Sequence, residues 1–441
     1  MRLAPSPGAS CPNGILRRKE RPRIDKCGHE HRLRGSRILP SGRGAMRYVG
    51  IDIASETHVV AVVDDKGEVL LKSTPFGEDA PGYAKLLGFL GEPKETLVAM
   101  EATGHYWKNL VATLLAQGFG VALLNPLRTR HFAEQDLQRA KTDAIDAVGI
   151  ARFAAQKQLT PTRLPDSATE ELKELVRHRD RLVQDFGDRV RQLHRLVDLG
   201  FPEFRRYVKG LNSELASAIL HDYPTAEAFQ GLSVKRLARL CYDGRHKVGP
   251  DLAHALIEAA KVSVGRHHGL AYRLQVRHTC EDLDLLRRRI REIEGDIDRT
   301  LGGHEVGMLL TSIEGIGTKT AARLIAELGD PAEFRDASAL ASYVGVVPAT
   351  NQSGKKQGQR AGITSIGNAR LRAALWMPTL VAVHRNPWLK AYYEGLRARG
   401  KLPKVALIAA MRKLLIAIYW VAQHRLPFVS RLNTVPAGAT S

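Results

Sequence analysis

The most regular stretch of the chain begins at Tyr48, where apolar and polar positions alternate through three short runs, YVGIDIA, HVVAVVDD and EVLLKSTP. Alternation in short runs rich in β-branched residues and separated by Ser, Asp, Lys and Gly predicts strands, and the short connections predict an antiparallel meander. The period then lengthens. A helix is expected around Tyr83–Leu90, a strand at TLVAMEA, a helix around Trp107–Gln117, a strand at GVALLNP and a helix from about Thr142 to Gln156. Three antiparallel strands followed by alternating helices and strands is the order of an RNase H-like (RuvC-like) α/β domain, assigned to residues 46–165.

From about Ala168 an apolar seam follows helical spacing through Leu172, Leu175, Leu182, Phe186, Val190, Leu193 and Val197, and a second runs through Leu283, Leu286, Ile290, Ile293, Ile297 and Leu301. Two such helices predict an antiparallel coiled-coil arm over residues 166–305, with a helical insertion between its halves. Arg287, Arg288, Arg289 and Arg291 give it a basic surface, either solvated or tracking phosphates. Residues 306–425 read as a third, all-α region opening with LLTSIEGIGTKTAARLIAELGD. Its helix, glycine turn and helix resemble a helix-hairpin-helix, in which Gly315 and Gly317 would take positive φ and expose backbone N–H groups to a phosphate, helped by Lys319 and Arg323. An ordinary helical hairpin has the same form. A basic loop, NQSGKKQGQRAG, three further helices and a tail over 426–441 complete the chain.

Composition narrows the class of partner. The 441 residues are 44% hydrophobic and 25% charged, which describes a multidomain globular protein; 66 Lys and Arg against 46 Asp and Glu leave a net charge of +20, the footprint of a polyanion binder. The longest apolar stretch, Val405–Ala422, is interrupted by Arg412 and Lys413 and reads as an amphipathic core helix. Cys11, Cys27, Cys241 and Cys280 form no disulfide framework, which points to a reducing compartment. The first 45 residues carry eleven basic and three acidic side chains and no apolar periodicity. They read as a basic arm, as a metal site of Cys11, Cys27, His29 and His31, or as an over-extended reading frame. The last is preferred, with Met46 the expected functional start.

Four carboxylates stand out. Asp52 sits inside the first strand, on the face of Tyr48 and Gly50; the simplest account is an acid on a solvated face. Glu101 closes the fourth strand. Asp143 and Asp146, three apart, begin a helix, where a capping residue and a first-turn acid are common in any case. Together they meet at one end of the expected sheet, and clustered carboxylates need cations; hard oxygen ligands suit Mg²⁺ or Mn²⁺. A pair of such ions serves phosphodiester displacement.

Five blocks carry a specific resemblance: GIDIASETH, AMEATGHYW, NPLRTRHFAEQDLQRAKTDAIDA, SIEGIGTKTAARLIAELGD and ASYVGVVPATNQSGKKQGQRAGITSIGNARLRAAL. In this order, over about Met46 to Gln423, the chain resembles the DEDD transposases of bacterial insertion sequences, which include pilin-gene invertases and bridge-RNA-guided recombinases. The resemblance implies that Asp52, Glu101, Asp143 and Asp146 bind metal. It also implies a serine that joins covalently to DNA. The matching position is Ser353, beside Lys355, Lys356 and Arg360, with Ser365 the nearest rival and Ser338 and Ser342 structural. The family's basic residue after the loop's isoleucine is absent, since Ile363 leads into Thr364. A guide RNA from the element, a homo-oligomer, DNA as substrate and a bacterial cytoplasmic location are further implications. Two other readings fit the residues: a RuvC-like nuclease or junction resolvase that uses water, and a non-catalytic nucleic-acid-binding scaffold.

Overall fold

The computed structural model describes residues 46–102, 104–125, 143–347 and 367–430, with the backbone only at 143–145. It divides into two compact units between Arg163 and Leu164.

In the first unit, β1 (Arg47–Asp52), β2 (Thr57–Val63), β3 (Val69–Gly77), β4 (Thr96–Glu101) and β5 (Gly120–Leu124) form one mixed sheet in the order β3-β2-β1-β4-β5. The first three strands make the expected antiparallel meander, whereas β4 runs parallel to β1 and β5 parallel to β4. The interior of β1 and all of β4 but its last residue are buried on both faces, as central strands of a covered sheet must be. Helices α1 (Ala80–Leu90), α2 (Trp107–Ala116) and α3 (Asp143–Gln156) pack on it. Asp79 fixes the start of α1 by accepting the Gly82 N–H at 2.7 Å, ahead of Pro81 in the first turn.

The sheet face expected to be solvated is covered. Tyr48, Leu97, Ala99, Ala122 and Leu124 share a core with Ile150, Ala151, Phe153, Ala154 and Ala155 of α3. The small side chains of α3 let its backbone settle on the strands, and Gly50 provides the room beneath it: a β-carbon there would stand 2.1 Å from the Ala147 carbonyl oxygen.

Among the described residues the second unit is helical apart from an isolated β-bridge between Cys241 and Lys247. Two long helices, α4 (Ser167–Gly200) and α9 (Leu270–Gly302), lie antiparallel, with Arg179 bound to Glu294 at 2.7 Å and Arg189 to Asp282 at 3.0 Å. Asp166 caps α4 by accepting the Thr169 N–H at 2.8 Å. At one end Leu193, Leu196, Val197, Val276, Cys280 and Leu283 join the core of an insertion built from α5 (Phe204–Tyr207), α6 (Glu214–Asp222), α7 (Val234–Ala238) and α8 (Pro250–Lys261). At the other end Leu172, Val176, Ile297 and Leu301 share a core with α10 (Glu305–Leu310), α11 (Thr318–Leu328), α12 (Ala337–Val344), α13 (Ala369–Arg385), α14 (Pro387–Ala398) and α15 (Pro403–His424).

Helix α15 is the core helix expected over Val405–Ala422. By length and composition it is apolar enough to cross a membrane, despite Arg412 and Lys413, yet more than half of its most apolar stretch is buried in the core of this unit. Lys413 is accommodated over the rings of Trp388 and Tyr392, 5.1 and 5.0 Å from their centroids. Ser338 and Ser342, read as structural, lie within α12 and are exposed.

Candidate catalytic site

Register brings two of the four carboxylates to neighbouring strand ends. Ile51 of β1 pairs with Met100 of β4 in parallel, so Asp52 and Glu101, each one residue further on, end adjacent strands. Alternation puts Asp52 on the face of Tyr48 and Gly50, and Glu101 on that of Leu97 and Ala99, which is the face under α3. Asp52, expected inside the first strand, is its last residue, paired with Val59 where the chain turns away toward β2.

The direction of α3 brings the other pair toward the same edge. Gly50 lies against Ala147 and Ala151, and Arg152 donates to the Gly67 carbonyl at 3.2 Å in the β2–β3 hairpin, toward the start of β1. The helix therefore runs antiparallel to β1. Two strand residues and one helical turn advance by similar lengths, about 7 and 5 Å, so the first turn of α3, with Asp143 and Asp146, approaches the level of Asp52. Asp52, Glu101 and Asp146 are half-buried. Among the described residues, no three His, Cys, Asp or Glu side chains close into a metal-holding group; the side chain of Asp143 is outside that set.

A polar cluster that sequence reading missed adjoins this edge. His58, fully buried at the start of β2, lies 2.6 Å from Glu78, which follows β3. Tyr83 of α1 and Asn109 of α2 also donate to Glu78, at 2.7 and 3.2 Å. Burial alone would raise the Glu78 carboxyl, and these hydrogen bonds outweigh it, holding the group below its ordinary value. The available signal was a histidine opening an otherwise apolar strand, HVVAVV.

In the second unit, the glycine turn joins α10 to α11. Gly315 takes a φ of 102°, as expected, but Gly317 does not: its φ is −88° and it begins α11 as an extended N-cap. Gly315 is pressed on Ala382, leaving no room for a side chain, whereas no atom stands within 4 Å of a β-carbon built on Gly317. Lys319 and Arg323 project onto the arm and line a small cleft with Arg179, Asp180 and Glu294. Lys319 binds Glu294 at 2.7 Å, and Arg323 pairs with Asp180. Ser353, Lys355, Lys356, Arg360 and Ser365 lie outside the described residues.

Comparison with known families gives two matches. A model of DEDD type, described as a transposase, fits residues 49–202, and one described as the transposase IS116/IS110/IS902 family fits residues 307–394; together they span more than half of the chain. The chain belongs to the IS116/IS110/IS902 transposase family. The first match holds all four carboxylates together with His58 and Glu78, and the second holds the glycine turn and Ser353. Similarity over most of the chain agrees. This transposase is 28% identical over 376 residues to the 44.8 kDa protein of insertion element IS116 from Streptomyces clavuligerus, covering 83% of the chain and 92% of that relative. It is 26% identical over 396 residues to the pilin gene-inverting protein of Moraxella bovis, covering 88% of the chain and 98% of the relative. A transposase for insertion sequence element IS1111A from Coxiella burnetii is 23% identical over 361 residues, covering 79% and 83% respectively.

Proposed function

We propose that this protein is the transposase or site-specific recombinase of a mobile insertion element, with an RNase H-like (RuvC-like) first unit and a serine nucleophile in the second. The observation that carries the reading is the in-register pairing that ends two parallel strands in Asp52 and Glu101, on the face covered by α3. The donor set fits a hard divalent cation in kind: Asp52, Glu101, Asp143 and Asp146 offer only carboxylate oxygens, and the half-burial of those with described side chains strengthens their attraction for a cation. These four would hold Mg²⁺ or Mn²⁺. When bound, such ions supply charge neutralisation at a phosphodiester.

Ser353 is the proposed nucleophile. Its Oγ forms a bond to phosphorus as the bond from phosphorus to one deoxyribose oxygen breaks; the serine proton leaves to solvent and the departing oxygen takes one up. One phosphoester replaces another, so the step stores the bond energy and runs backwards to rejoin DNA. Lys355, Lys356 and Arg360 would bind the anionic phosphate, and the open backbone at Gly317 offers a second, sequence-independent phosphate contact. A guide RNA from the element and a homo-oligomer that combines active-site parts belong to the same reading.

The test is strand exchange between element ends and target in the presence of the element's own RNA, with denaturing gels run to trap protein–DNA adducts. Wild type should yield a covalent adduct. Ser353→Ala should lose it while retaining DNA binding, and Asp52→Asn should lose strand transfer without unfolding. Cleavage without any adduct would replace this reading with that of a nuclease that uses water.

A further inference from the structure

The buried polar cluster beside the sheet edge is built differently from an incidental hydrogen bond. The Ala54 N–H donates to Nδ1 of His58 at 3.2 Å, which leaves the ring proton on Nε2, aimed at Glu78 2.6 Å away. Glu78 then accepts three donors from three separate elements, His58 of β2, Tyr83 of α1 and Asn109 of α2, while its own N–H donates to the Glu56 carbonyl at 3.0 Å. Two of the tied segments are those that leave the proposed carboxylates. Ala54 and Glu56 lie in the turn directly after Asp52, and α2 is the helix that follows Glu101.

Strand register sets the cluster at the same edge. Asp52 pairs with Val59, and His58 and Thr57 pair with Phe76 and Gly77. A fully buried imidazole is costly unless both nitrogens are satisfied, and here both are.

We propose that Glu78 and His58 are positioning residues: a tautomer-locked hub that fixes the turn after Asp52 against the helix after Glu101, and so sets the spacing of the two carboxylates. The proposal rests on the carboxylate site described under the proposed function. It names a chemistry at residue 78 that only a carboxylate supplies. Glutamine there would turn one accepting oxygen into an NH₂ group facing donors, so Glu78→Gln should loosen both segments at once. Tyr83→Phe removes one donor and leaves the His58 link intact, so it should loosen them less.

The experiment uses the full chain, with hydrogen exchange followed by mass spectrometry, Mn²⁺ titration and metal-free thermal unfolding. For Glu78→Gln we expect faster exchange both in the turn after Asp52 and in the segment after Glu101, unchanged protection of β1 and β4, and Mn²⁺ affinity lowered about 10-fold or more, as for other outer supports of metal ligands. Tyr83→Phe should shift both readouts in the same direction by less, and it stands as the test if Glu78→Gln does not fold. Wild-type exchange and Mn²⁺ affinity in the folded variants would overturn the hub. Asp52→Asn separates the two ideas. If it binds Mn²⁺ as wild type does, the carboxylate site fails; if it loses Mn²⁺ while Glu78→Gln does not, only the hub fails.

Discussion

Gly50 and Ala147 are in backbone contact: a β-carbon on Gly50 would lie 2.1 Å from the Ala147 carbonyl oxygen and 2.4 Å from the Ala151 nitrogen. The approach is a matter of space, since Gly50 is not among the glycines of positive φ. Helix α3, which carries Asp143 and Asp146, can reach β1 because residue 50 has no side chain. Gly50→Ala should therefore lift the helix from the sheet at a cost of about 1 to 3 kcal/mol. A urea unfolding midpoint equal to that of wild type would contradict this. Strand transfer by the same variant should fall, because the first turn of α3 moves away from Asp52.

Lys319 gives a second expectation. Its side chain is 62% exposed and bound to Glu294. An ion pair so open to water contributes less than about 1 kcal/mol, so Lys319→Ala should barely change stability. If Lys319 exchanges Glu294 for a phosphate on binding DNA, the same variant should flatten the dependence of log affinity on log salt by about one counterion. An unchanged slope would confine Lys319 to the arm contact.

Cys280 should be chemically silent. Burial, aided by the nearby Asp284 carboxylate, pushes its thiol up to about 12, and it has no solvent exposure. Iodoacetamide at pH 8 should modify the exposed Cys241 and leave Cys280 untouched until the chain unfolds, as peptide mapping would reveal. Rapid labelling of Cys280 in folded protein would show that the junction of arm and insertion opens readily.

Acid sensitivity should trace in part to Glu78. Its carboxyl is more acidic folded than unfolded, so it stabilises the fold above its unfolded value of about 4.5, and that stability is lost as pH falls through the lower folded value. The unfolding midpoint of wild type should drop below pH 5, and that of Glu78→Gln should drop less. Parallel curves for the two proteins would assign the acid sensitivity elsewhere.

Short apolar runs bounded by turn residues predicted all five strands, because residues such as Val49, Ile51, Val60 and Val62 mark a strand locally, even where β1 and β4 are buried on both faces. The end of β4 at Glu101 was legible for the same reason. What covers a face is not local. Asp52 read as solvated because nothing in YVGIDIA announces that Ala147 and Ala151, about a hundred residues later, would settle on Gly50. Charge was legible at Lys319 and Arg323, but their partners were not, since Glu294 and Asp180 lie on other helices. Gly315 and Gly317 look equivalent in sequence; only the packing of Ala382 against Gly315 separates a strained turn from an open helix start. The His58–Glu78 link escaped notice because its members are twenty residues apart on a meander whose spacing depends on the hairpin register.

The parallel register of β1 and β4 also limits how this protein can evolve. Inserting or deleting one residue within either strand would rotate its terminal carboxylate to the opposite side of the sheet, out of reach of its neighbour. Length changes are therefore tolerable only in the connections between strands. Divergent copies of such elements should vary freely in their loops while keeping these two short runs at constant length.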